Sequence, residues 1–476
     1  MALFKEKIGL FDVTNLVVGA VVGADIYVAT GFGMKLVGPL SLLVWIVAGI
    51  FAVVTAMAFS QCAHFVQKVG GPYAYVHKTF GHFAAYMTGW SLWLAEIAGL
   101  CVFPLAFVAY LSFFNPEISS NLLFKGIALF AFVNFLFWTN FFGIKKAARA
   151  NDVLTAIKLL PLLLIIVLGL GFILFKPASA LQNFLPFAPL GWGGFGSALV
   201  LIFWAFVGFE IATLPAGEVK NPRITIPKAI VLGMTIVTVF YLLTNLAIVG
   251  VAGMQVAESG APLALAGTIL LGGLGAVLIS IGAIFSVSGS DESNTIGTTR
   301  LAFALAADGY MPKALAKLHP KFQTPYISLA VHSAIAFFLA LFFDIRQFII
   351  FSTFNFALCY FMVTLAAWKL NSEKHWWEKI VLIASALVCI YLVTQIEWNA
   401  LVSGIFLLAV VAGLYPFASK MEVKEAKELL QKDEHVLARI LKHEETFLAH
   451  PFKHVKHHVR RHWTKAGSPL HEAGMK

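Results

Sequence analysis

The sequence predicts an all-α polytopic membrane protein with twelve transmembrane helices, and three observations carry that expectation. Hydrophobic residues make up 59% of the 476 positions and charged residues 12%, with a mean hydropathy of +0.84. Soluble domains are roughly half apolar and one quarter charged. Apolar runs of about 20 residues recur along the chain, long enough to cross roughly 30 Å of hydrocarbon as helices, whose backbone polar groups are satisfied from within. Basic residues fall mainly in alternate connections between these runs, the pattern of loops kept on one side of a membrane.

The spans read Leu10 to Leu36, Leu40 to Val66, Phe83 to Phe113, Leu122 to Phe142, Val153 to Phe175, Phe195 to Ala216 and Ile230 to Val251. Five more follow at Leu263 to Ser286, Tyr326 to Phe343, Phe348 to Trp368, Ile380 to Gln395 and Asn399 to Phe417. The stub MALFKEK before the first span lacks a small-residue cleavage pattern, so no removable signal peptide is expected. With the N-terminus inside, the outer loops hold only Lys35, Lys125, Lys176 and Arg346, against 17 basic residues on the inner side before the C-terminal tail. Both termini are therefore expected in the cytoplasm, at the plasma membrane. The net charge of +10 fits this asymmetry and an attraction to anionic inner-leaflet lipids, and makes no case for nucleic acid.

The connections carry their own signals. KVGGPYAYVHKTFG at Lys68 to Gly81 holds a Gly-Gly-Pro turn, and GEVKNPRITIPKA at Gly217 to Ala229 sets an acid among basic residues and two prolines. Thr299 to Pro325 reads as a short amphipathic helix, a DG turn and a basic run. From residue 419 to 476 the chain is a different material. An amphipathic helical pattern is followed by a segment dense in Lys, Arg and His, and eight of the fourteen histidines lie beyond residue 430. It reads as a cytoplasmic tail resting on anionic headgroups, or as a pH sensor. The four cysteines, Cys62, Cys101, Cys359 and Cys389, lie in spans without metal-type spacing. No phosphate loop, cofactor fingerprint, metal site or nucleophile with partners occurs, so no enzyme is expected.

Ionisable groups inside spans carry the functional signal, because each costs at least a few kcal/mol and by default lines a pathway or pairs with another. Asp25 lies in the first span, Glu96 in the third, Lys158 in the fifth and Glu210 in the sixth. Two of them sit in nearly the same phrase, VGADI at Val22 to Ile26 and VGFEI at Val207 to Ile211. Gly19 and Gly23 lead into the first phrase and Gly208 marks the second; glycine lets a helix unwind and expose its backbone. The first span runs outward and the sixth inward, so the phrases occupy matching places in two five-helix halves inserted upside down to one another. Such a pattern predicts a 5+5 inverted repeat with broken helices 1 and 6, whose exposed N–H and C=O groups hold a polar substrate near the midplane.

Four stretches then carry a family resemblance that runs from about Ile8 to Phe417. GAVVGADIY at Gly19 to Tyr27, QKVGGPYAYVHKTFG at Gln67 to Gly81, FWAFVGFEIATLPAGEVKNPRITIP at Phe203 to Pro227 and the segment Ser286 to Pro325 resemble motifs of the amino acid, polyamine and organocation superfamily of secondary transporters. The resemblance implies a transporter domain over residues 1–418. It comprises a first repeat at 10–175, a second at 195–368 and two added helices at 380–417, rocking around the broken pair. It also implies that amides at Gly23, Ala24 and Asp25 hold a substrate carboxylate, and that carbonyls at Phe203, Trp204, Ala205 and Phe206 hold its amine. Gly19, Ile26 and Gly208 lie in the same breaks, and Trp204 takes the place of an aromatic gate. Glu210 is assigned to helix-break gating and Glu96 to the substrate side-chain pocket. Lys158 resembles a lysine that stands in for a bound sodium ion in proton-coupled members, with Ser286 and Ser288 at the neighbouring ion-site positions.

Asp25 departs from the family, whose members mostly carry glycine or serine there. An anion at that place would repel a substrate carboxylate by on the order of several kcal/mol. Three arrangements resolve the conflict: a protonated Asp25, a pair with Lys158, or a cationic substrate. Three acids against one lysine leave the site formally at −2, which a cationic amino acid or amine would balance. The expected function is a proton-linked permease for amino acids or related amines, leaning to cations. A neutral amino acid symporter, an exchanger without ion coupling and, from another class, a transporter-like nutrient sensor stay open.

Overall fold

In the computed structural model of the chain, the described residues are 9–23, 25–66, 71–142, 144–210, 219–322, 324–372 and 375–420. The predicted tail beyond residue 420, together with Ala24 and Ile211 of the two phrases, lies outside them. The helices in chain order are α1 (Leu10–Val21), α2 (Asp25–Val37), α3 (Ser41–Phe65), α4 (Gly71–Phe80), α5 (His82–Ser112), α6 (Glu117–Ser120), α7 (Leu122–Phe141) and α8 (Ile144–Phe175). They continue with α9 (Pro177–Phe184), α10 (Phe195–Phe203), α11 (Pro222–Ala252), α12 (Pro262–Ala307), α13 (Tyr326–Phe342), α14 (Ile345–Leu370), α15 (Trp376–Thr394) and α16 (Trp398–Lys420). Among the described residues nine helical stretches are long and apolar enough to cross a membrane, and three shorter apolar helices, Leu10–Val21, Phe195–Phe206 and Tyr326–Phe342, accompany them.

Large apolar side chains are exposed on the rim, among them Leu163, Val167, Phe175, Leu274, Phe285, Phe406 and Phe417. That surface suits lipid and is foreign to a soluble monomer. Inside the bundle α3 packs on α11, α5 on α12 and on α14, α7 on α13, and α8 on α12. The pairs α1 with α11 and α10 with α3 complete the frame. Exchanging the set α1/α2, α3, α5, α7, α8 for the set α10, α11, α12, α13, α14 maps these contacts onto one another. Helices α15 and α16 pack from outside, α15 on α14 and α3, α16 on α14 and α5.

Helix ends follow local chemistry. Asp344 caps α14 by accepting from Gln347 N–H at 3.0 Å, and Asn121 caps α7 by accepting from Leu123 N–H at 2.9 Å, each filling an otherwise orphaned donor.

Three sequence expectations are corrected here. The eighth span does not stop at Ser286: α12 continues to Ala307, and its interruption lies instead at Gly272, with φ 63° and ψ −150°. Thr299 to Ala307 is therefore the end of α12 and not a separate amphipathic helix, although the DG turn follows as expected, with Gly309 at φ 81°. The segment after the Gly-Gly-Pro turn is helical, as α4, and is tied down where Tyr73 donates to Asp308 Oδ2 at 2.7 Å. The loop before the seventh span is shortened, since Pro222 opens α11 from a left-handed Asn221 at φ 47°; proline fits a first helical turn because its missing N–H would have no partner there.

Candidate substrate and ion site

The first break is built from the end of α1. Val22 leaves the helix at φ −73° and ψ 100°, and α2 begins at Asp25. The last four carbonyls of any helix lack intrahelical partners, and here three of them are served individually. Val18 O accepts from Val22 N–H at 2.9 Å, Gly19 O from Lys158 Nζ at 2.5 Å, and Val21 O from the Tyr241 hydroxyl at 2.9 Å. Ala20 O faces the second break. Gly23 must be bare, because a Cβ there would stand 2.4 Å from Ser290 Oγ on α12.

The second break ends α10. A tighter turn over Trp204–Phe206 passes into extended backbone at Val207, φ −73° and ψ 154°, and then into Gly208 at φ 115°, a region that disfavours every side chain. A Cβ on Gly208 would lie 3.1 Å from Ala20 O and 3.6 Å from Val21 N. The two breaks therefore meet backbone to backbone. Glu210 closes its own break: its Oε2 accepts from Gly208 N–H at 3.2 Å and from the Tyr360 hydroxyl of α14 at 2.9 Å. Trp204 Nε1 donates to Ser352 Oγ at 3.1 Å, and its ring packs on Phe103 at 6.2 Å. Phe206 turns into the core between Trp45 and Tyr241.

Lys158 is 1% exposed on α8. Besides reaching Gly19 O, it receives the Tyr27 hydroxyl on its own carbonyl at 3.3 Å, with Ser286 beside that hydroxyl. Ser288 instead gives its hydroxyl to Ile284 O within α12 at 2.8 Å. Asp25 is 7% exposed and within electrostatic reach of Lys158. Among the described residues, however, the one ion pair is Arg346 with Glu397, between α14 and the start of α16. Glu96, on α5, lies within electrostatic reach of Glu210. Phe203 and Ala205 are buried at the end of α10, and Ile26 is buried in α2, where its carbonyl accepts from Thr30 Oγ1 at 2.9 Å. The predicted Gly19, Gly23, Asp25, Ile26, Lys158, Ser286, Trp204, Phe206, Gly208 and Glu210 thus gather around the paired breaks and the helices that clasp them.

Sequence reasoning missed two groups. Asp291 and Glu292 on α12 are buried, and Glu292 Oε2 accepts from Thr139 Oγ1 of α7 at 2.8 Å. Both fell beyond the predicted end of the eighth span; continuing helical spacing through SGSDESNT was the signal. The tyrosines Tyr27, Tyr110, Tyr241 and Tyr360 were missed as well. Tyr110 donates to Tyr27 O at 2.8 Å and meets the Tyr27 ring edge to face at 5.7 Å.

Two interrupted helices meeting inside an apolar bundle, flanked by an ammonium and by carboxyls, define a membrane transporter, not an enzyme. Residues 8–422 match the amino acid permease family, and the chain belongs to it. It is 30% identical over 344 residues, 68% of this chain and 72% of the relative, to a branched-chain amino acid permease of Bacillus subtilis. A methylthioribose transporter of the same bacterium is 29% identical over 335 residues, 67% of this chain and 71% of that protein. A mouse cationic amino acid transporter 4 is 27% identical over 392 residues, 78% of this chain and 60% of that protein.

Proposed function

We propose that the chain is a twelve-span secondary active transporter of the cell membrane, with both termini cytoplasmic and a tail that rests on anionic headgroups. It carries amino acids or related amines by alternating access between two inverted repeats. The observation that carries this reading is the contact of bare Gly208 with Ala20 at the junction of the two breaks, because neither half can rock without moving that junction. The exchange symmetry of the helix contacts supports the repeat, and the outer packing of α15 and α16 supports their role as additions to a ten-helix core.

Coupling to protons is assigned to Lys158. Its ammonium sits on a carbonyl of the broken helix, where it serves as a built-in cation that can be discharged when the cavity opens. Lys158→Ala should abolish uptake driven by an imposed pH gradient in proteoliposomes while substrate binding survives; unchanged coupling would sink the assignment. The lean to cationic substrates rests on Asp25, Glu96 and Glu210 against that single lysine, and a relative whose name states cationic amino acids is compatible with it. A thermal-shift screen against cationic and neutral amino acids tests it, and stabilisation by neutral compounds alone would refute the lean.

A further inference from the structure

We propose that Glu292 is a second proton-binding group, which takes up the proton leaving Lys158 and passes it to the cytoplasm. The inference rests on the coupling assigned to Lys158 above and deepens it. Glu292 lies on α12 and is 1% exposed. Its Oε2 accepts from Thr139 Oγ1 at 2.8 Å, with Asn140 beside it, while its Oε1 has no hydrogen-bond partner among the described residues. No described cation forms an ion pair with it. A carboxylate only half served by donors and shut away from water is costly. A proton relieves that cost, and so does water reaching the group, so its charge follows its wetting.

Position supplies the rest. The Tyr27 hydroxyl donates to Lys158 O with Ser286 beside it, so Ser286 marks the level of the lysine on α12. From Ser286 to Glu292 the helix advances by about 9 Å, at about 1.5 Å per residue. On the way, Ser290 Oγ donates to Ser286 O at 3.1 Å and stands against the first break at Gly23. Thr139 lies near the end of α7 at Phe141, the end that the basic loops assign to the cytoplasm. Asp291 is the ionisable neighbour within electrostatic reach of Glu292; it accepts from Thr295 Oγ1 at 3.4 Å and lies near Cys101 of α5. Lys158 of α8 is engaged with Gly19 O, and His332 of α13 with Ser328 O and the Trp93 indole. With the cavity open inward, the Lys158 ammonium gives its proton through water to the Glu292 carboxylate, leaving a neutral amine and a neutral carboxyl. Glu292 then releases the same proton to cytoplasmic water and becomes a carboxylate again.

The test uses the full chain in proteoliposomes with a pH-sensitive dye trapped inside. The probe is a mixture of the tritiated proteinogenic amino acids with putrescine. Accumulation driven by an acid exterior is compared with exchange at equal pH, in which a loaded carrier need not release its proton. Glu292→Gln should lose driven accumulation and the linked proton entry by at least about tenfold, with exchange unchanged. Glu292→Asp, which keeps a titratable carboxyl, should restore the drive. Thr139→Val removes the donor and keeps the acid, so the proton is given up less readily. Inhibition of driven uptake by internal acid should then set in about one pH unit higher. Driven accumulation unchanged in Glu292→Gln overturns the inference, as does equal loss of accumulation and exchange. If Glu292→Gln does not fold, Thr139→Val decides, and an unshifted inhibition overturns it. Lys158→Ala is run in parallel. Loss of drive there with drive retained in Glu292→Gln removes the role of Glu292 alone, whereas unchanged coupling in Lys158→Ala removes the reading on which it rests.

Discussion

At the α10 break the acid is consumed by the structure: Glu210 accepts from Gly208 N–H and from the Tyr360 hydroxyl and holds the unwound backbone in place. At the α1 break the work is divided differently. The carbonyls of α1 are capped by Lys158 and Tyr241, and Asp25 accepts no hydrogen bond from the described residues. Two phrases alike in sequence thus place one acid in a structural clasp and leave the other without a hydrogen-bond donor among the described residues. A buried acid in a membrane helix is therefore informative only together with its donors, since motif spacing alone gives both residues the same reading.

The sharpest way to break the comparison is at the glycines. Gly208→Ala puts a side chain at φ 115°, a strain of about 1–3 kcal/mol, and drives it towards the backbone at Ala20, which cannot yield without shifting α1. It should give the largest loss of thermal stability and abolish uptake. Gly23→Ala meets a hydroxyl on a serine side chain instead, Ser290 Oγ, so a second change, Ser290→Gly, should restore much of its stability and uptake. Rescue of Gly208→Ala by a side-chain change of this kind would show that the two breaks do not lean on each other through their backbones.

The acids come next, and their signs should differ. Glu210→Gln weakens two hydrogen bonds to a charged acceptor, each worth about 1.5–3 kcal/mol, and should lower the melting temperature in detergent. Asp25→Asn replaces a buried carboxyl that accepts no hydrogen bond from the described residues, and should leave the melting temperature unchanged or raise it. Equal destabilisation by both would mean that Asp25 is as structural as Glu210.

Much of this contrast was legible in the sequence, and its limits have physical causes. A glycine followed by an acid marks a break in an apolar run, and Lys158 declares itself because nothing else in its span is charged. What the sequence does not carry is which donor reaches which acid. Tyr360 lies 150 residues after Glu210, and Tyr241 lies 220 after Val21; only the folded bundle brings them together. The eighth span is read as ending at Ser286, short of the polar run SGSDESNT. In the fold α5, α7 and α8 pack on α12, and Thr139 answers Glu292, so polarity along this helix does not mean exposure.

The finest difference lies between the two tyrosines. Tyr360→Phe removes a hydroxyl that serves a carboxylate, whereas Tyr241→Phe removes one that serves the neutral carbonyl of Val21. A hydrogen bond to a charged group contributes about 1.5–3 kcal/mol, and a neutral one within a membrane bundle averages about 0.6 kcal/mol. Both rings keep their aromatic neighbours, Phe59 and Phe209 around Tyr360 and Trp45 and Phe206 around Tyr241, so packing loss is small in each. Denaturant unfolding of the two variants should therefore separate by roughly 1–2 kcal/mol, with Tyr360→Phe the weaker protein. Adding Glu210→Gln to Tyr360→Phe should cost less than the sum of the two single changes, because both act on one clasp, while adding it to Tyr241→Phe should be close to additive. Strong non-additivity in the second pair would mean that the breaks share one energetic unit, and the division of labour between Asp25 and Glu210 would have to be redrawn.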